Sequence, residues 1–185
     1  MCIRDRQEQV SWTDPDGSNP QTATFTRFLP DNGTGSDMYG FEINWVQPLD
    51  FIVDGLGLAT NFTVVHADDI QTAENGPFLP LDGLSEKSYN FVGYYENERF
   101  GARLAYNYRD DFVNNGTNYF GDGSFTEDYK QLDFSASADI TDSLSVVFEA
   151  LNITEETLIE TNSLGVNRGL EDVGRRLTLG VRATF

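Results

Sequence analysis

The residues able to do chemistry are few and poorly grouped. His66 is the one histidine and Cys2 the one cysteine. A multi-histidine or Cys–His metal site cannot be assembled from them, and no nucleophile string supports a histidine triad. His66 closes a strand-like run beside Asp68 and Asp69 and reads as an exposed interfacial residue. Asp14-Pro15-Asp16-Gly17-Ser18-Asn19 has the beginning of an acidic calcium loop, but Ala23 stands where the bidentate Glu is needed. A turn rich in Asp, Gly and Pro explains it more simply. Asp110-Asp111 with Asn114-Asn115-Gly116 reads as a loop tip of weak calcium potential. Carboxylate pairs occur at Asp68-Asp69, Asp110-Asp111 and Glu155-Glu156. They could act as an acid and base pair, yet adjacent residues of an extended chain point apart. The expectation is that the chain is not an enzyme and holds no cofactor or metal.

What remains is elements that repeat. Arg175, Leu177, Leu179, Val181, Ala183 and Phe185 alternate with Arg176, Thr178, Gly180, Arg182 and Thr184, the period of a strand. The same alternation runs through Leu144–Asn152, Tyr129–Ile140, Arg99–Arg109, Ser88–Tyr95, Leu56–His66 and Met38–Val46, and more weakly through Thr22–Leu29. The sum is about eight strands and no helix-period segment. Connections alternate in length. Short turns fall at Glu96–Glu98 and Thr141–Ser143, with a medium one at Pro48–Gly55. Long loops fall at Ala67–Lys87, Asp110–Asp128 and Ile153–Gly174.

The chain has 185 residues with a formal net charge of -18, from 30 acidic and 12 basic side chains. That balance repels nucleic-acid phosphate, so no nucleic acid is expected as a partner. No run of about 18 apolar residues offers a transmembrane helix, but a membrane strand needs only about 9–11 residues, apolar at every second position. Strands of about ten residues, short turns at one end and long loops at the other, and aromatics near strand ends (Tyr39 and Trp45, Tyr89 and Tyr95, Tyr106 and Tyr108) match an outer-membrane barrel. A soluble carbohydrate-binding β-sandwich shares the alternation, and a small complete outer-membrane barrel of structural role shares the layout.

Several strings carry a family resemblance. Gly174–Phe185 (Gly-Arg-Arg-Leu-Thr-Leu-Gly-Val-Arg-Ala-Thr-Phe) resembles the terminal strand of TonB-dependent outer-membrane receptors. Leu151–Glu156 is similar to the segment that closes their penultimate strand. Leu79–Asn90 resembles the approach to a descending strand of that family, and Tyr94-Tyr95-Glu96 and Arg103–Arg109 resemble the hairpin after it. The resemblance implies an all-β, antiparallel up-and-down transmembrane β-barrel fragment, with residues 10–185 as the C-terminal portion of a larger barrel in the bacterial outer membrane. It also implies active uptake of a scarce small-molecule nutrient such as a siderophore, a cobalamin or a glycan. The implied partners are outer-membrane lipid, the remaining barrel strands, a plug domain, TonB, and the barrel-assembly machinery, which would read Phe185. Met1-Cys2-Ile3-Arg4-Asp5-Arg6 resembles a translated sequencing adapter, so residues 1–9 are expected to be a non-native or unstructured start, with the natural N-terminal part missing.

On this reading Arg99, Arg103, Arg109, Arg176 and Arg182 fall on lumen faces. They could meet plug carboxylates or line a ligand path. Ion pairs with Asp133, Asp139 and Glu149 on neighbouring strands are the simpler use. Phe78, Phe112, Tyr119, Phe120 and Phe125 in the loops could stack on a ligand ring or pack the loops together.

Overall fold

The computed structural model describes residues 2–18, 20–31, 35–71, 78–115 and 123–184. Every regular element among them is a strand, and every ladder is antiparallel. Two compact units form: Met1–Asp37 with Asp68–Pro80, and Met38–Ala67 with Leu81–Phe185.

The first unit holds β1 (Cys2–Trp12) paired with β2 (Gln21–Asp31), and the short pair β5 (Ile70–Gln71) and β6 (Phe78–Leu79). The stretch 1–9, expected to be non-native or unstructured, thus contributes a strand from Cys2 onward. The strand anticipated at Thr22–Leu29 is β2, and its partner is β1, outside the main sheet. Between them Gly17 takes φ +78, and Gly17 N donates to Asp14 O at 2.8 Å. The Asp14–Ser18 segment is therefore a tight turn. Ser18 N and Oγ both donate to Asp16 Oδ1, and these bonds hold the Asp16 carboxyl below its usual range.

The second unit is built on a seven-stranded meander. Its strands are β3 (Met38–Pro48), β4 (Leu56–Ala67), β7 (Lys87–Glu96), β8 (Phe100–Arg109), β11 (Tyr129–Thr141), β12 (Leu144–Leu151) and β15 (Arg176–Ala183). They pair in chain order, each with its antiparallel neighbour along the chain, through short turns at one end and long connections at the other. The sheet does not close: β3 and β15 stand at opposite ends of the strand order. Two long connections fold back as hairpins, β9 (Phe112–Asn115) with β10 (Ser124–Thr126), and β13 (Leu158–Asn162) with β14 (Asn167–Glu171). β10 and β13 pair with each other, giving a four-stranded sheet in the order β14-β13-β10-β9.

Register carries the sequence alternation across the sheet. Trp45, Thr60, Phe91, Tyr106 and Leu132 form one transverse row on the apolar face. Within this unit many side chains of that face are exposed, among them Phe41, Trp45, Leu177 and Val181. Leu179 is 71% exposed and Leu104 47%. In a sandwich both would be shielded between sheets. Among the described residues the buried apolar side chains are Val92, Ala105, Val113 and Ala150.

Candidate functional site

The polar face of the meander is the best-organised surface of the second unit. Asn44, Asn61, Asn90, Asn107 and Gln131 fall opposite one another on five consecutive strands. Each is a single polar residue in an alternating strand, and only the register brings them into one row. Asn61 Nδ2 donates to Asn44 Oδ1 at 2.6 Å and to Glu42 Oε1 at 2.7 Å, while Asn44 Nδ2 also reaches Glu42 Oε1. Asn90 Nδ2 donates to Asn107 Oδ1. Gln131 Nε2 donates to both Asp133 oxygens, at 2.8 and 2.9 Å. Nothing in the sequence marked this row. The available signal was that each amide sits at the polar parity of its own strand.

Among the described residues no ion pair joins Arg99, Arg103, Arg109, Arg176 or Arg182 to Asp133, Asp139 or Glu149. Arg103 and Glu149 share a transverse row, but Ser135 of β11 lies between them. Two strand spacings separate their backbones, about 9.6 Å, and no ion pair joins them. Asp139 and Arg182 are divided in the same way by Ser145, whose Oγ donates to Asp139 Oδ1 at 2.6 Å. Asp133 accepts from Gln131 and from Asn152 N. Arg182 borders a second, smaller concavity of about 280 Å³ with Glu149 and Thr178. Arg176 opens β15 opposite Leu151. Arg99 lies in the β7–β8 turn, where its backbone N–H donates to Asn97 Oδ1.

Arg109 serves the loops and not a lumen. Its Nε donates to Ser85 Oγ at 2.7 Å and its Nη2 to Gly83 O at 3.0 Å, and its guanidinium lies 4.1 Å from the centre of the Phe112 ring. Gly83 N in turn donates to Val113 O. Phe112, expected as a possible ligand platform, is therefore covered by Arg109. Phe125 sits in β10 opposite Thr161 and Val113. Phe78 is 64% exposed in β6 of the other unit. Tyr119, Phe120 and Phe185 lie outside the described residues.

Glu155 and Glu156 turn to different partners, whereas the Asp110 and Asp111 carboxyls stay beside each other. Glu155 Oε1 meets Arg175 Nη2 at 3.2 Å, whereas Glu156 Oε1 accepts from Lys130 N. Asp110 accepts from Tyr108 Oη. Burial, then the neighbouring Asp110, push the Asp111 carboxyl above its usual range. His66 Nδ1 lies 3.1 Å from Glu86 Oε1, with its ring 5.2 Å from that of Tyr39. Among the described residues no three His, Cys, Asp or Glu side chains are grouped to hold a metal ion.

No protein-family model matches the chain, and no curated protein or solved structure matches it.

The apolar face shows order of a different kind. Tyr39 with His66, Phe41 with Phe62, Phe62 with Tyr89, and Tyr89 with Tyr106 and Tyr108 make a run of ring contacts across four strands at the long-loop end. Trp45, Tyr95 and Phe100 stand at the short-turn end, with Tyr95 and Phe100 in ring contact. From Tyr108 to Phe100 is eight residues along β8, about 27 Å at ~3.4 Å per residue.

Proposed function

We propose that this chain is wall and outer loops of a TonB-dependent receptor in the bacterial outer membrane, an uptake transporter and not an enzyme. The observation that carries the reading is the uncovered apolar face of the meander, bounded at both ends by aromatic side chains. In water such a face is costly, at about 25 cal/mol per Å² of apolar surface. Against lipid it is satisfied, and Tyr, Trp and His rings suit the headgroup zone. The alternation of short turns and long loops fits the same orientation, with loops outside and turns in the periplasm. The family's way of working then supplies the mechanism. A scarce nutrient binds outer loops and plug, and energy delivered through TonB rearranges the plug and releases the ligand inward. Plug, TonB-contacting segment and further strands would be supplied by sequence outside this chain, and Phe185 would be the mark read by the assembly machinery.

Trp12 and Trp45 are the two tryptophans, so a Trp12→Phe variant reports Trp45 alone. Reconstituted in vesicles of brominated phosphatidylcholine, Trp45 fluorescence should be quenched. A chain that stays monomeric in buffer without detergent, with Trp45 indifferent to lipid, overturns the membrane reading. The coding sequence upstream of Gln7 tests the family. A plug domain preceded by a short TonB-contacting motif supports it, and a signal peptide directly before Val10 removes it.

A further inference from the structure

The polar face of the meander contains a trough running across the strands. Its floor is a transverse row of small apolar residues, Val46, Ala59, Val92 and Ala105, with Val92 6% and Ala105 9% exposed. One rim is the amide row, two residues along each strand. The other, two residues in the opposite direction, carries Tyr94 and Arg103, which are register partners. Four residues separate Asn90 from Tyr94, so the rims stand about 13 Å apart. The concavity there measures about 690 Å³ and is lined from both rims and the floor.

The rims have hydrogen-bonding capacity in hand. Asn61 is held by Glu42, Asn44 and Thr63 and acts as the fixed member. Asn90 and Asn107 share one bond, which among the described residues leaves Asn90 Oδ1 and the Asn107 side-chain amide hydrogens open. Tyr94 lies flat over Gly57, a posture that turns one ring face to the strand and the other away from it.

We propose that this trough binds a neutral polyhydroxylated chain, an oligosaccharide laid across the strands. An amide donates and accepts side by side, the pattern that vicinal hydroxyls ask for. Adjacent strands repeat every ~4.8 Å, near the repeat of successive pyranose rings in an extended glycan. A small-residue floor admits the ring thickness, and a flat tyrosine offers its face to sugar C–H groups. A polyanion is disfavoured by the chain's charge of -18 and by Glu42 and Glu149 at the rims. A cation would find Glu42 already engaged by two amides. The inference rests on the reading of this face as a lumen wall, where the trough would meet a solute in transit.

The test uses the 185-residue chain in a sugar-free detergent, titrated calorimetrically with cellohexaose and with hexagalacturonate, beside the Trp45 lipid-quenching measurement. Saturable cellohexaose binding is expected, about five- to tenfold weaker in Asn90→Leu and in Tyr94→Ala, with lipid quenching and the β-sheet circular dichroism unchanged in both. Hexagalacturonate should bind far more weakly. Retained quenching without cellohexaose binding overturns the trough alone, as does equal binding of the polyanion or undiminished binding by both variants. Absence of Trp45 quenching in the Trp12→Phe chain overturns the membrane reading and this inference with it.

Discussion

Tyr94 lies across Gly57: a Cβ built at position 57 would meet the tyrosine Cζ and Oη at 2.3 Å. The two residues are register partners on β7 and β4, so the ring fills the space that a side chain at 57 would take. The atoms in the way are the far end of a rotatable side chain, not backbone. Gly57→Ala should therefore swing Tyr94 off the strand and leave the sheet paired. The expected cost is about 1–2 kcal/mol, in the range of a modest overpacking. In a Tyr94→Ala background the same change should cost much less. Urea midpoints of the four proteins in detergent check this, and additive effects would mean that the ring and the glycine are not coupled.

Asn152 is 3% exposed and takes φ +52. Its Nδ2 donates to Glu156 O and Gly174 O, and its Oδ1 accepts from Glu156 N. One side chain thus ties together both ends of the loop that carries β13 and β14. Asn152→Ala leaves those backbone groups unpaired and puts a poorly suited residue in the left-handed region, an expected loss of about 2–4 kcal/mol. Asn152→Asp keeps the shape but exchanges a donor for an acceptor facing two carbonyls, and should fare no better. Hydrogen exchange across residues 153–174 should accelerate in both variants, while β7 and β8 keep their protection.

Arg109→Lys should release the 81–86 segment. Lysine cannot hold Ser85 Oγ, Gly83 O and the Phe112 face together, because it lacks the planar fork. The expected outcome is a loss of about 1–2 kcal/mol, seen as faster proteolysis between Leu81 and Glu86. Unchanged cleavage there would show that the loop is held by other contacts.

Asp111 gives a pH signature. Its folded carboxyl sits above the ordinary value of 3.8 because of burial and the adjacent Asp110. The folded state therefore binds the extra proton more tightly than the unfolded chain. Stability falls as pH rises from the ordinary carboxylate range through the raised value, and the penalty is complete above it. Asp111→Asn removes that penalty. Its melting temperature should exceed wild type at pH 7, and the gain should vanish at pH 3. A gain of equal size at both pH values would assign the effect to something other than ionisation.

The main strands were legible because one face is apolar and the period is two. Leu177, Leu179 and Val181 in β15, and Leu132, Phe134 and Ala136 in β11, announce themselves within a single window. β1 does not, because polar and charged residues occupy both parities between Cys2 and Trp12. The loop strands were invisible for another reason: Phe125 acquires its strand partners, Val113 and Thr161, from separate loops. The amide row was hidden in the same way. Asn44, Asn61, Asn90 and Asn107 are unremarkable one by one, and register alone aligns them. Parity puts Arg103 and Arg182 on the polar face of their strands, but it gives no distance across the sheet, and Ser135 and Ser145 occupy the positions beside them where carboxylate partners would have been needed.

The pairing of β10 with β13 has a consequence for the order in which the chain acquires its structure. The whole β11–β12 hairpin lies between them in sequence, so Thr126 and Glu160 are far apart along an unfolded chain and become neighbours once that hairpin zips. Closing the long segment directly would carry a large entropic cost, whereas closing it after the hairpin has formed carries little. The β10–β13 seam is therefore expected to close after the β11–β12 hairpin, so a change that slows the turn at Asp142-Ser143 should delay it from the opposite end of the strands.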